Sequence, residues 1–244
     1  MFKRAHQKEQ GSALVYILIA IALLAALTVS FMQPSSQQTT SQNAFKSAAA
    51  MQGQVDIIRS SIQECVLSYP AGDSTIDNSG SGTDEGANTR YPIKPTSDHY
   101  DGPPAATIAK TTGSPLVEDI RCPGDQNGAN ANDHDKIFGG ASGKFLPPPP
   151  DLFDPWQYYN GLDGVYFWIE TDKTDAFILS ALEKLDENFA ECEADVIDGG
   201  GSGEDLDSNS ETSCPANHIC FRVRLLTTGS EVYNGDTDSD ESGC

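Results

Sequence analysis

The feature that most constrains this chain is an unbroken run of apolar residues near its N-terminus. Residues 13–32 read ALVYILIAIALLAALTVSFM, and none of these 20 residues is charged. At about 1.5 Å per residue, a helix of this length matches the ~30 Å hydrocarbon core of a bilayer. A cleaved secretory signal has a shorter apolar region, of about 7–15 residues, followed by a small-residue cleavage site. We therefore expect a membrane-spanning helix over residues 12–33.

Charge is distributed unevenly around this apolar run. The net charge of the chain is −21, yet Lys3, Arg4 and Lys8 against Glu9 give the first 32 residues a charge of +2, which leaves −23 for the remainder. Because basic residues stay on the cytoplasmic side, we expect the N-terminus in the cytoplasm and the acidic remainder outside it. An acidic surface repels phosphate groups, so the composition disfavours direct binding of nucleic acid.

The residues that precede the apolar run carry a family resemblance. The stretch QGSALVY, residues 10–16, resembles the prepilin-peptidase site of type IV pilins and type II secretion pseudopilins, where a basic leader ends in Gly and the hydrophobic helix follows at once. This resemblance implies a leader over residues 1–11, cleavage between Gly11 and Ser12, and methylation of the new N-terminus. Tyr16 stands at the fifth mature position, where most members have Glu. The chain is therefore most similar to the minor pilins and pseudopilins that lack this Glu.

The resemblance implies a function, a location and partners. The implied function is that of a structural subunit of a periplasmic or surface filament, which contacts other pilin-like subunits through its N-terminal helix. The implied location is the inner membrane, crossed once, with the head in the periplasm or in an extracellular filament. A membrane-anchored periplasmic binding or adhesion module with an uncleaved anchor shares every feature except processing at Gly11. It remains the alternative.

After Pro34 the sequence predicts a second, amphipathic helix. Apolar residues recur at steps of three or four with polar residues between them. They are Phe45, Ala48, Met51, Val55, Ile58, Ile62 and Cys65. We expect a helix over residues 34–68 that packs Val55, Ile58 and Ile62 against the head. Any interruption should lie near Pro34, because proline lacks a backbone hydrogen-bond donor. It is either the spine of a pilin, which we favour, or a core helix of any small domain.

The remainder, residues 69–244, predicts an extracytoplasmic head. The expected fold is α+β: the long N-terminal helix packed on a small antiparallel sheet with long loops. Aromatic and β-branched residues around turn signals predict a β-hairpin within residues 145–171, and alternation predicts a strand with one solvated face over residues 218–226. Helical spacing predicts a helix over residues 173–193, and Gly-rich acidic sequence predicts a loop over residues 198–213.

All six cysteines lie after the apolar run, which is the exported side. Their even number and this location favour disulfides over a zinc cluster, and no Cys-x-x-Cys pair occurs. Six cysteines permit 15 pairings, so spacing leaves the connectivity open. The preferred pairing is Cys65–Cys122, Cys192–Cys214 and Cys220–Cys244.

One acidic segment invites a cation hypothesis. Asp236, Asp238 and Asp240 alternate with small residues, between Asn234 and Glu241, as oxygen ligands do in calcium-binding loops. Some pseudopilin heads are similar in binding calcium in a C-terminal loop. A solvated acidic tail is the favoured interpretation, and we expect no other cofactor.

The sequence contains no motif that requires an enzyme. The patterns Gly-x-Ser-x-Gly and His-Glu-x-x-His, the phosphate-binding Gly-rich loop and the dinucleotide fingerprint do not occur. His99, His134 and His218 lie in unrelated contexts. We therefore predict a protein without catalytic activity, in preference to an anchored hydrolase.

Overall fold

The chain divides into two compact units, Met1–Asn43 and Ala44–Cys244. The structure is a computed structural model. It describes residues 11–32, 36–72, 88, 90–93, 116–122, 136–139, 142–162, 164–190, 192–207 and 211–227.

The first unit contains helix α1, Gly11–Met32. Its side chains are described from residue 15 to residue 28, and all of them are exposed. Leu24, for example, is 64% exposed and Tyr16 is 70% exposed. Within the described part of the chain, no helix is both long enough and apolar enough to cross a membrane.

Helix α2 is Ser36–Ser68, and the predicted interruption near Pro34 falls on residues 33–35, which lie outside the described residues. From Ala44 onward α2 belongs to the second unit. Met51, Val55, Ile58 and Ile62 are fully buried, as their spacing predicts. The helix ends at Ser68, and a turn follows in which Gly72, at a φ of 66°, donates its backbone N–H to the Tyr69 carbonyl.

One residue of the predicted apolar face does not enter the core. Phe45 is 56% exposed, because the buried cluster begins one turn later on α2, at Ala48. The Lys184 ammonium nitrogen lies 3.9 Å from the centroid of the Phe45 ring. Phe45 thus makes a cation–π contact at the surface.

The second unit is built on a four-stranded antiparallel sheet in the order β1-β2-β6-β3, which makes the fold α+β. The strands are β1 Gln157–Gly161, β2 Gly164–Thr171, β3 Ala194–Asp198 and β6 Ile219–Thr227. A short ribbon pairs β4, Glu204–Asp205, with β5, Ser213–Cys214. The predicted hairpin is confirmed as β1 and β2, and the predicted strand over residues 218–226 is confirmed as β6.

Two predictions for this region need correction. Helix α3 covers Ala176–Asp186 rather than residues 173–193, since a turn closed by the Phe189 N–H and the Asp186 carbonyl follows it. That turn brings the Phe189 ring to 5.9 Å from the Phe221 ring. The predicted acidic loop over residues 198–213 contains the β4 strand and the first residue of β5.

Both faces of the sheet are covered. One face packs on α2 and α3 and holds the main core, which includes Phe167 and Ile169 of β2. The other face forms a smaller cluster that includes Tyr166 and Trp168 of β2 together with Leu206 and Cys214. Alternate residues of β2 therefore enter two different cores, as the two-residue period of a strand requires.

Candidate functional site

The candidate site is the second half of α2, together with the segments that bond to its polar side chains. Gln54, which is 4% exposed, lies at its centre. Its side-chain oxygen accepts a hydrogen bond of 2.6 Å from Trp156 Nε1, and its nitrogen donates one of 2.6 Å to the Pro148 carbonyl. The side-chain amide of Gln54 therefore joins α2 to Trp156, the residue before β1, and to the proline run, residues 147–150.

A cleft of about 210 Å³ lies at the C-terminal end of α2. Lys144 Nζ lies 2.6 Å from a carboxylate oxygen of Glu64. Lys136 Nζ lies 2.7 Å from a carboxylate oxygen of Asp119. Tyr69 and the Cys65–Cys122 disulfide also line the cleft. Each ammonium group has a carboxylate partner, so the cleft is polar but close to neutral in charge.

A second pair anchors α2 near the start of β3. An Arg59 guanidinium nitrogen lies 2.9 Å from Glu193 Oε1, and the guanidinium carbon lies 5.8 Å from the centroid of the Phe189 ring. The hydrogen bond from Arg59 lowers the pKa of the Glu193 carboxyl, aided by the Ala190 backbone N–H. Arg59 therefore takes part both in the ion pair with Glu193 and in the contact with the Phe189 ring.

The cysteines confirm one predicted pair and contradict two. Cys65–Cys122 forms as predicted, with the two Cα atoms 5.8 Å apart. The pairings Cys192–Cys214 and Cys220–Cys244 are wrong, because Cys214 bonds to Cys220. The turn between β5 and β6, with Asn217 at a φ of 61°, brings these two cysteines together over six residues. Cys192 is also disulfide-bonded, and Cys244 lies outside the described residues.

Strand β6 was expected to have one solvated face, and this expectation is wrong. Arg222, on that face, is 1% exposed because the β4–β5 ribbon covers it. Its guanidinium donates to the Asp195 carboxylate of β3, with one hydrogen bond of 3.1 Å from Nε, and to the Leu206 carbonyl at 2.6 Å. Tyr166 completes this region: burial raises the pKa of its hydroxyl well above the ordinary value, while the hydrogen bond with Thr212 opposes the rise.

At the opposite end of β2, Glu170 is half-buried. Burial raises the pKa of its carboxyl, and His218 opposes the shift. Within the described residues, no group of three or more His, Cys, Asp or Glu side chains is placed to hold a metal ion. Glu170 lies near the end of β2, an inner strand of the sheet, opposite Cys220 of β6.

The remaining predicted site residues are those of the processing site and of the calcium hypothesis. Gly11 and Ser12 begin α1. Asp236, Asp238 and Asp240 lie outside the described residues, so calcium binding there stays a prediction. Sequence reasoning missed Gln54, which interrupts an apolar pattern, and Arg222, which fits the polar side of an alternating strand and is buried because the β4–β5 ribbon covers it. One signal could have found Gln54. It is a polar residue that lies at helical spacing from the apolar residues Met51, Val55 and Ile58.

No family model, curated protein or solved structure matches the chain.

Proposed function

We propose that the protein is a minor pilin or pseudopilin, a structural subunit of a periplasmic or surface filament that a prepilin peptidase processes. The observation that carries this proposal is the architecture of the second unit. Helix α2 follows the apolar helix α1 directly in the chain and buries one face against an antiparallel sheet. A pilin-like subunit needs such a helix, which continues from the anchor into the head.

Helix α1 supports the proposed location in the inner membrane. Its described Ile and Leu side chains are 51–64% exposed. Full burial of one Leu or Ile side chain is favourable by a free energy of about 1.5–3 kcal/mol. A helix with this surface is stabilised by lipid or by neighbouring helices. We therefore propose a single pass with residues 1–10 in the cytoplasm and the head in the periplasm, where its disulfides persist.

The same helix supports the proposed partners, which are other pilin-like subunits and the prepilin peptidase. Tyr16, at the fifth position after Gly11, is 70% exposed and stands where most members of the class have Glu. A tyrosine cannot form a salt bridge with the amino terminus of a neighbour. A role as a minor subunit at the end of a filament fits this difference better than a role as the repeating subunit.

Processing at Gly11 distinguishes the filament subunit from the alternative, an anchored binding or adhesion module. Mass spectrometry of the N-terminus should find a chain that begins at Ser12, N-methylated, when the protein is produced with a prepilin peptidase. Gly11→Glu should block cleavage, whereas the matched change Gln10→Glu should not. A chain that still begins at Met1 in the presence of the peptidase would favour the uncleaved anchor.

A further inference from the structure

The proline run next to Gln54 has no role in the filament proposal. Residues 145–152 read FLPPPPDL. Each of residues 146–149 precedes a proline, which restricts it to extended or polyproline II backbone, and each proline fixes its own φ near −65°. The structure accordingly has no helix or strand over residues 143–150.

Exposure along this segment follows a three-residue period. From residue 145 to residue 151, Phe145, Pro148 and Asp151 are exposed, and the two residues between each successive pair are only partly exposed; Leu152, which follows, is 37% exposed. A polyproline II helix has three residues per turn, so Phe145 and Pro148 lie along one edge, about 9 Å apart. Asp151 follows at the end of this edge, in the turn that the Phe153 N–H closes on the Pro150 carbonyl. Phe145 is 75% exposed, which is unusual for an aromatic residue in a head that buries both of its tryptophans.

The segment is also held in place before any partner arrives. Leu146 packs against the main core, Phe153 is buried in it, and the Gln54 amide fixes the Pro148 carbonyl at 2.6 Å. The Thr171 hydroxyl donates to the Leu152 carbonyl, and the Phe153 N–H to that of Pro150. A preordered ligand loses little conformational entropy on binding, which is the advantage of proline-rich recognition elements.

We propose that Phe145, Pro148 and Asp151 form a docking edge for a separate protein domain with an aromatic-lined groove of the kind that binds polyproline II segments. Proline rings and Phe145 fit between aromatic side chains, and a basic residue beside the groove pairs with Asp151. A second copy of this chain has no exposed tryptophan to form such a groove, because Trp156 and Trp168 are both buried. This inference does not depend on processing at Gly11 or on assembly of a filament.

Site-specific photo-crosslinking of the full-length chain, in membranes of cells that naturally make it, tests the docking edge. A benzoylphenylalanine residue replaces Phe145 in one variant and Leu162, which is exposed at the β1–β2 turn, in the control. We expect an adduct with a different protein from position 145 and none from position 162. A synthetic peptide of residues 144–152 should reduce that adduct about tenfold, and the same peptide with Pro148→Ala and Pro149→Ala should not.

A charge reversal then tests the chemistry of the groove. A variant that carries both the crosslinker at position 145 and Asp151→Lys should form about tenfold less adduct. The substitution turns the attraction to a basic residue of the partner into a repulsion. Intact Cys65–Cys122 in this variant, checked by peptide mapping, shows that the head has folded. The proposal is overturned by no adduct, by an adduct with a second copy of the chain, or by an adduct that neither the proline peptide nor Asp151→Lys reduces.

Discussion

At the scale of single residues, stability depends on polar groups that are buried together with their partners. Gln54 satisfies the indole N–H of Trp156, a side chain that is only 2% exposed. Gln54→Ala leaves that donor unpaired, and a buried group without a partner costs about 1–3 kcal/mol. We expect urea unfolding to report a loss of about 2–3 kcal/mol. Ser60→Ala, on the exposed side of the same helix, should change stability by less than ~0.5 kcal/mol, and equal losses from the two variants would contradict this account.

The Arg222–Asp195 pair illustrates the cost of an unpaired buried charge. The two side chains are 1% and 8% exposed, and Arg224 Nε lies 3.8 Å from the same carboxylate. Asp195→Asn should therefore destabilise the fold by about 3–5 kcal/mol, since it leaves the Arg222 charge uncompensated. The double change Asp195→Leu with Arg222→Met should recover part of the loss.

The surface pair Arg59–Glu193 provides the matched control for this prediction. Its side chains are 26% and 44% exposed, so solvent screens their attraction. Glu193→Gln should cost less than about 1 kcal/mol. Chemical denaturation of all the variants decides the comparison, and a loss for Glu193→Gln as large as that for Asp195→Asn would refute the role assigned to burial.

The Glu170 carboxyl leads to a prediction about how the stability of the fold depends on pH. Burial raises the pKa of its carboxyl in the folded state above the ordinary value of 4.5, so the folded chain binds this proton more tightly than the unfolded chain does. The ionised form therefore destabilises the fold, and this penalty develops as pH rises from the unfolded pKa through the folded pKa. Glu170→Gln should gain stability relative to the natural chain over that window, by a small amount because the side chain is half-buried. A difference that is constant with pH, or that grows below pH 4.5, would count against the assignment.

At the scale of elements, the two disulfides with known partners close loops of very different length. Cys65–Cys122 spans 57 residues and Cys214–Cys220 spans six. The chain-entropy model gives stabilisations of about 4 and about 2 kcal/mol. Replacing each pair by alanine should reproduce that order in thermal unfolding. Peptide mapping of the natural chain should find both bonds, and it should find Cys192 joined to Cys244, the remaining cysteine.

The elements also differ in how far the sequence predicts them. Helix α2 and the β1–β2 hairpin were predictable because their periodicity extends over many residues and their turns contain Gly or Pro. Strand β3 and the β4–β5 ribbon were not, because five-residue and two-residue strands are defined by pairing with β6 and with each other. The disulfide connectivity and the burial of Arg222 depend on that same ribbon. The local sequence, which is rich in Gly, Ser and acidic residues, is typical of a solvated loop.

At the scale of the whole molecule, the division at residues 43 and 44 predicts that the head folds without α1. Every buried residue of both core clusters, from Ala48 to Val223, lies in the second unit. A chain that begins at Ala44 should therefore unfold cooperatively and form Cys65–Cys122 without detergent, whereas the full chain, whose α1 exposes Leu and Ile side chains, should need detergent or lipid. Circular dichroism and peptide mapping measure both properties.

A shorter chain that begins at Val55 tests whether the head needs the turns of α2 that precede this residue and pack in the core of the head. This truncation removes Met51 and Gln54, which are 0% and 4% exposed. Loss of a buried Met side chain costs about 2–5 kcal/mol, and the Trp156 N–H also loses its partner. We expect this chain to be less stable than the Ala44 chain by more than about 4 kcal/mol, a large part of the stability of an ordinary domain. If the Ala44 chain itself failed to fold, residues 1–43 would have to stabilise the head, and the division into two units would not describe how the protein folds.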